Sequence, residues 1–148
     1  MMRAAMPLPT FLIIGAAKSG TTSLYEYLGQ HPEVFMSEIK EPKYFAWDAE
    51  RPSARPWPGY PVQAHEVVDE DAYQALFAGA SNEKARGEAS VIYLESLFAP
   101  DRIRAELPPG VKLIVSLRQP AERAYSDYLM AVRRGWDGSL AEGLAPEQ

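Results

Sequence analysis

The sequence predicts an α/β fold, a parallel sheet flanked by helices. Three observations carry that expectation. Phe11-Leu-Ile-Ile14 is a short apolar run stopped by Gly15, the pattern of a buried strand. Val111-Lys-Leu-Ile-Val-Ser-Leu117 is a second such run. Each is followed by a helical pattern. Leu24, Tyr27 and Leu28 recur at i, i+3 and i+4, and Ala121, Ala124, Tyr125, Tyr128, Leu129 and Val132 extend the same spacing into a longer stripe.

Taken in order, Met1 to Thr10 reads as a loose lead-in, because Pro7 and Pro9 oppose regular structure. Residues 11–148 form one domain. The first strand is Phe11 to Ile14. The first helix runs from Thr21 or Thr22 to Leu28, with Gly29 as its stop and Pro32 blocking continuation. Glu33 to Trp47 is mixed, with a short helix or turn near Ser37 and an extended Tyr44–Trp47. Pro52, Pro56, Pro58 and Pro61 make Arg51 to Pro61 a surface loop. Asp69 to Ala78 reads as a helix, Ala85 to Ser90 as a short strand entering a turn, and Tyr93 to Phe98 as helical. Pro100 to Leu107 is a helix with proline in its first turn and Pro108-Pro109 after its end. Val111 to Leu117 is the second strong strand, and Pro120 opens a long helix that Gly135 ends.

Composition limits the function. A chain of 148 residues suits a single domain and buries roughly 70% of its unfolded surface, enough for a real core. The net charge of −5 gives no global basic field, so nucleic acid and anionic membrane are not expected partners. An anionic ligand has to be held by local positive groups. The absence of cysteine excludes disulfides, thiolate metal sites and cysteine nucleophiles. Met1 to Thr10 lacks the apolar stretch of a signal peptide and no run approaches membrane-spanning length, so a cytoplasmic location is expected.

The first strand leads into Gly15-Ala-Ala-Lys-Ser-Gly-Thr-Thr22. A strand, a small-residue loop and a helix N-terminus make an anion cradle, because loop and first-turn N–H groups converge on one point. Lys18 adds a full positive charge, and the expected ligand is a phosphate or sulfate. The loop is P-loop-like, with Gly15 and Gly20 at the Walker A spacing. The residue after Gly20 is Thr21 rather than lysine, and the second strong strand exits to Arg118 rather than to a magnesium-binding aspartate. The site therefore reads as one that handles its anion without metal. A P-loop kinase or NTPase and a non-catalytic nucleotide-binding module both stay open at this point.

Four segments in order carry a resemblance: Gly15-Ala-Ala-Lys-Ser-Gly-Thr-Thr22, Leu28-Gly-Gln-His-Pro32, Lys40-Glu-Pro-Lys-Tyr-Phe45 and Leu117-Arg-Gln-Pro-Ala-Glu-Arg-Ala-Tyr-Ser126. Together the chain from Phe11 to Val132 resembles the sulfotransferases that use 3′-phosphoadenosine 5′-phosphosulfate (PAPS), in their bacterial and heparan-sulfate-type branch. The resemblance implies an N-terminal portion of that domain and transfer of a sulfuryl group from PAPS to a hydroxyl or amine acceptor. It makes Lys18 catalytic and, with Ser19, Gly20, Thr21, Thr22 and Ser23, a holder of the 5′-phosphate. Arg118 and Ser126 correspond to the 3′-phosphate pair, and Glu41 to the general base, with Glu38 as its rival. Lys40 and Lys43 are candidates for an acidic acceptor; Lys43 stands where some members have histidine. Glu88-Ala-Ser90 resembles a further family segment, with Ala89 where heparan-type members often carry lysine and Val91 near a usual proline. His31 reads as a turn residue. Family domains continue beyond the helix of Ser126, so residues 1–148 alone are expected to be weakly active and prone to self-association.

Overall fold

The computed structural model describes residues 7–48 and 66–144. Met1–Met6, the proline-rich stretch from Arg51 to Pro61, and His65 lie outside them.

The described residues form a four-stranded, all-parallel sheet in the order β2-β3-β1-β4: β1 Phe11–Gly15, β2 Val34–Met36, β3 Ala85–Ala89 and β4 Lys112–Val115. The helices are α1 Thr21–Gly29, α2 Glu70–Ala75, α3 Ala99–Glu106, α4 Pro120–Arg133 and α5 Leu140–Gly143. Strand β1 is central, and its alternation sorts side chains to the two faces. Leu12 packs with Phe45, Trp47, Tyr73, Phe77 and Ile92 on one face, and Phe11 and Ile13 pack with Leu24, Tyr25 and Leu28 of α1 on the other. Phe11 lies opposite Gly87 of β3, whose missing side chain makes room for the ring.

Several expectations need correction. Strand β2 was not anticipated: three residues after Pro32 are too few to display an alternation. Tyr44–Ala46 is a buried 3-10 turn rather than an extended segment. Lys43 precedes it with φ 60°, and Ala46 N–H donates to the Lys43 carbonyl at 3.0 Å. The turn lets Tyr44 stack on Tyr73 of α2, ring centroids 4.4 Å apart. The helix expected over Tyr93–Phe98 is a 3-10 turn at Val91–Leu94, after which Ser96 Oγ accepts the N–H groups of Phe98 and Ala99 at the start of α3. Helix α2 is shorter than Asp69–Ala78, with Asp69 capping its N-terminus through the Ala72 N–H at 2.9 Å. The face α1 buries is Leu24, Tyr25 and Leu28; Tyr27 is 71% exposed. The tail forms α5, opened by a capping box between Ser139 and Glu142.

Strand β4 lies at the sheet edge with Leu113 and Val115 half exposed, and α4 buries no residue, leaving its Tyr125–Leu129–Val132 stripe open. No helix among the described residues is long and apolar enough to cross a membrane.

Candidate functional site

From β1 the chain crosses to β2 on one side, and after β3 it crosses back over β1 to β4 on the other. Strands wound both ways from a central strand open a crevice at their carboxyl ends. Here a cavity of about 730 Å³ opens beside the loop that follows β1.

The loop is shaped by its glycines. Gly15 has φ 147°, and a Cβ there would lie 2.9 Å from Leu94 Cδ2; Gly20, with φ 83°, is the N-cap of α1. The first α1 bond is Leu24 N–H to the Gly20 carbonyl at 3.0 Å, so the N–H groups of Thr21, Thr22 and Ser23 have no partner within the helix. Ser116 ties the loop to the end of β4. Its N–H donates to the Gly15 carbonyl, its carbonyl accepts the Ala16 N–H, and its hydroxyl donates to the Ser19 carbonyl at 2.6 Å. Two residues on, an Arg118 Nη1 donates to the Lys18 carbonyl at 3.5 Å, and its Nε pairs with exposed Glu122 at 3.2 Å. Lys18, itself left-handed at φ 61°, reaches across to α4, its Nζ 3.6 Å from Met130 Sδ.

Glu41 closes the opposite wall. Its backbone is left-handed at φ 61°, with its N–H on the Ala89 carbonyl at 2.8 Å. Its Oε2 accepts the Val91 N–H at 3.0 Å and its Oε1 pairs with Lys40 Nζ at 3.0 Å. Lys18, Gly20, Thr21, Thr22, Glu41, Arg118 and Ser126, distant in sequence, thus line one cavity. Ser19 and Ser23 do not: Ser19 is buried under the loop with its N–H on the Ala16 carbonyl, and Ser23 is exposed on the first turn. Lys18, Lys40, Lys43, Arg118 and Arg134 outweigh Glu41 and Glu95 on the wall, so a chain of net charge −5 presents a locally cationic cleft.

Solved and curated proteins match both the sequence and this geometry. A crystal structure of a sulfotransferase from Alicyclobacillus acidocaldarius superposes with a TM-score of 0.78 at 35% identity, over 93% of this chain and 56% of that one. Human carbohydrate sulfotransferase 15 is 35% identical over 82% of this chain. The human bifunctional heparan sulfate N-deacetylase/N-sulfotransferase 2 is 37% identical over 82% of it. Over most of its length the chain is similar to sulfotransferases. It spans 27% and 13% of the length of those two curated relatives. The membrane-associated sulfotransferase kil1 of Dictyostelium discoideum is 32% identical over 85% of the chain. No protein-family model matches.

In this site some residues carry more, and others less, than the sequence alone suggested. His31 is structural as expected, its Nδ1 accepting the Glu33 N–H at 3.2 Å. Lys43 is buried on the wall with its Nζ 3.6 Å from Glu66. Arg134, Met130 and Glu95 were not singled out; they reach the cavity only through the ends of α4 and of the Val91–Leu94 turn, which no local motif marks. Glu88 was seen only as part of a family segment. It is fully buried, and burial pushes its carboxyl up to about 7, against the pull of the Tyr93, Ser90 and Tyr73 hydroxyls and helped by the Glu41 charge.

A pH dependence follows. Between its ordinary value of 4.5 and about 7, Glu88 binds more protons folded than unfolded. Its contribution to stability therefore falls as pH rises across that window and is level on either side. The stability difference between the native chain and Glu88→Gln, from urea unfolding at about pH 5 and about pH 8, shifts against the native chain at the higher pH. A difference independent of pH would contradict the assignment.

Proposed function

We propose that the chain binds PAPS between the Lys18 loop and the Arg118–Ser126 pair, and that it supports transfer of the sulfuryl group to a hydroxyl or amine acceptor. The convergence of Lys18, Glu41, Arg118 and Ser126 on one cationic cavity supports this reading above any other observation. The donor set fits a nucleotide with two phosphate groups. First-turn N–H groups with an ammonium suit one phosphate, and a guanidinium with a hydroxyl suits the other. When bound, PAPS supplies a sulfuryl group whose bond to a 5′-phosphate oxygen breaks as the bond to the acceptor forms.

The residues of the chain divide the remaining work. The loop N–H groups with Thr21 and Thr22 hold the 5′-phosphate, and the Lys18 ammonium meets the charge that grows on it. Arg118 and Ser126 grip the 3′-phosphate and set the distance between cofactor and acceptor. Glu41 takes the acceptor proton, and the Val91 N–H and Lys40 hold its carboxylate in place. Lys40 and Arg134 on the cavity wall suit an anionic acceptor. The carbohydrate and heparan sulfate in the relatives' names favour a sugar hydroxyl or amine.

Calorimetry with 3′-phosphoadenosine 5′-phosphate in the presence of EDTA tests the reading. Binding is expected without metal, and Arg118→Ala weakens it by about 1.5–3 kcal/mol, the loss of a charged hydrogen bond. With Arg118 partly exposed and paired to Glu122, the lower end of that range is expected. Magnesium-dependent ATP binding with none of the bisphosphate would instead indicate an NTPase. Glu41→Gln removes transfer activity while leaving bisphosphate affinity unchanged.

A further inference from the structure

Residues 41–45 are fastened to the exit of β3 by four hydrogen bonds: Glu41 N–H to the Ala89 carbonyl at 2.8 Å, Val91 N–H to Glu41 Oε2 at 3.0 Å, Lys43 N–H to Ser90 Oγ at 3.0 Å and Phe45 N–H to the Tyr93 hydroxyl at 3.4 Å. The last two acceptors are hydroxyls. A hydroxyl presents a lone pair in a fixed direction only when its own hydrogen is committed elsewhere. Both hydrogens go to one group. Ser90 Oγ donates to Glu88 Oε2 at 2.9 Å, and the Tyr93 hydroxyl bonds the same carboxylate. The Tyr73 hydroxyl of α2 donates to Glu88 Oε1 at 3.4 Å. Glu88 is fully buried and does not reach the cavity wall.

The fastened segment needs this hold. Glu41 and Lys43 both have left-handed backbones, at φ 61° and 60°, a conformation that residues with side chains adopt only when their surroundings impose it. We propose that Glu88 is a positioning residue: its carboxylate orients the Ser90 and Tyr93 hydroxyls to grip the backbone at Lys43 and Phe45, and so fixes the Glu41 carboxylate against the Val91 N–H at the cavity wall. Its significance for transfer rests on the reading of Glu41 as the base; the hold itself does not.

The groups facing Glu88 are Tyr73 from α2, Ser90 and Tyr93 from the segment after β3, and the Glu41 charge from the loop. A proton on Glu88 turns one of its oxygens into a donor, and the hydroxyl opposite has to turn as well. Amide NMR of the full chain reads this directly. In the native protein the Lys43 and Phe45 amide signals shift together with one midpoint as Glu88 titrates. In Glu88→Gln that shared midpoint disappears, and hydrogen exchange at Lys43, Phe45 and Val91 accelerates at least about tenfold while Leu12 and Ile13 in β1 keep their rates. Tyr93→Phe, which keeps the ring and removes one relay, speeds exchange at Phe45 and leaves Lys43 protected. Flat Lys43 and Phe45 signals in the native titration overturn the proposal. So does equal acceleration at Leu12 and Ile13, which marks general destabilisation. If Glu88→Gln does not fold, the native titration and Tyr93→Phe decide. Should Glu41→Gln leave transfer intact, the base assignment falls while these amide measurements stand or fail on their own.

Discussion

Lys18→Ala lowers the rate of sulfuryl transfer by about 10²–10³-fold, the usual cost of removing one preorganised group that stabilises transition-state charge. Affinity for the bisphosphate product changes far less. The asymmetry follows from where charge develops. Lys18 would hold the 5′-phosphate end of PAPS, and its ammonium would attract the charge that grows there during transfer more strongly than the charge already present in the bound state. On the proposed reading the position of Lys18 suits that task. Its left-handed backbone between Gly15 and Gly20 lifts the side chain over the cavity, and its Nζ rests on the Met130 thioether, a weak acceptor that a phosphate oxygen easily replaces. The loop N–H groups and Arg118 still hold the nucleotide without it. Single-turnover kinetics and bisphosphate calorimetry on the same variant separate the two effects. Equal losses in rate and affinity would make Lys18 a plain binding residue.

The parts of this architecture legible in the sequence are those encoded locally. Phe11–Ile14 is apolar on both faces because β1 is covered on both. The Gly15–Thr22 loop announces itself because an anion cradle needs small residues at fixed places. Helix α4 carries its period whether or not its stripe is covered, and in the structure the stripe is open. What escaped the sequence depends on pairing at a distance. Strand β2 is held by β3 and by the packing of α1, through Tyr25, whose hydroxyl donates to the Ser37 carbonyl. Tyr44–Ala46 turns instead of extending because Ser90 and Tyr93, nearly fifty residues away, hold the N–H groups of Lys43 and Phe45. Glu41 was recognised by its neighbours in sequence, but the groups that hold it, Val91 and the Glu88 network, come from the exit of β3, about fifty residues further along the chain. Ser19 and Ser23 show the converse: they belong to the motif by position, but Ser19 is buried beneath the loop and Ser23 is exposed on the first turn of α1.

Gly87→Ala is expected to produce the largest loss of stability. A Cβ built at this position lies 2.2 Å from Phe11 Cζ and 2.3 Å from Cε2, well inside contact distance. The two residues face each other across the β1–β3 pairing, so neither can slide away without shifting the register that also aligns Leu12 with Glu88 and Ile13 with Ala89. The Phe11 ring is 7% exposed and sits in a cluster with Ile13 and Ala89, packed against Leu24, Tyr25, Leu28 and Ile114. Overpacking a site of this kind costs about 1–3 kcal/mol, and this contact belongs at or beyond the upper end. For a chain of this size a loss of about 3 kcal/mol lowers Tm by roughly 6–12 °C. The strain also reaches the functional site: the Gly87 carbonyl accepts the Ser37 N–H at 2.9 Å, at the start of the segment that leads to Glu41. Thermal melts of Gly87→Ala alone and in a Phe11→Ala background provide the check. With the ring gone the added methyl group has space, so its cost falls by at least about half, a coupling that marks direct contact. An undiminished penalty in the double variant would show that the strand backbone, and not the Phe11 ring, is what excludes a side chain at this position.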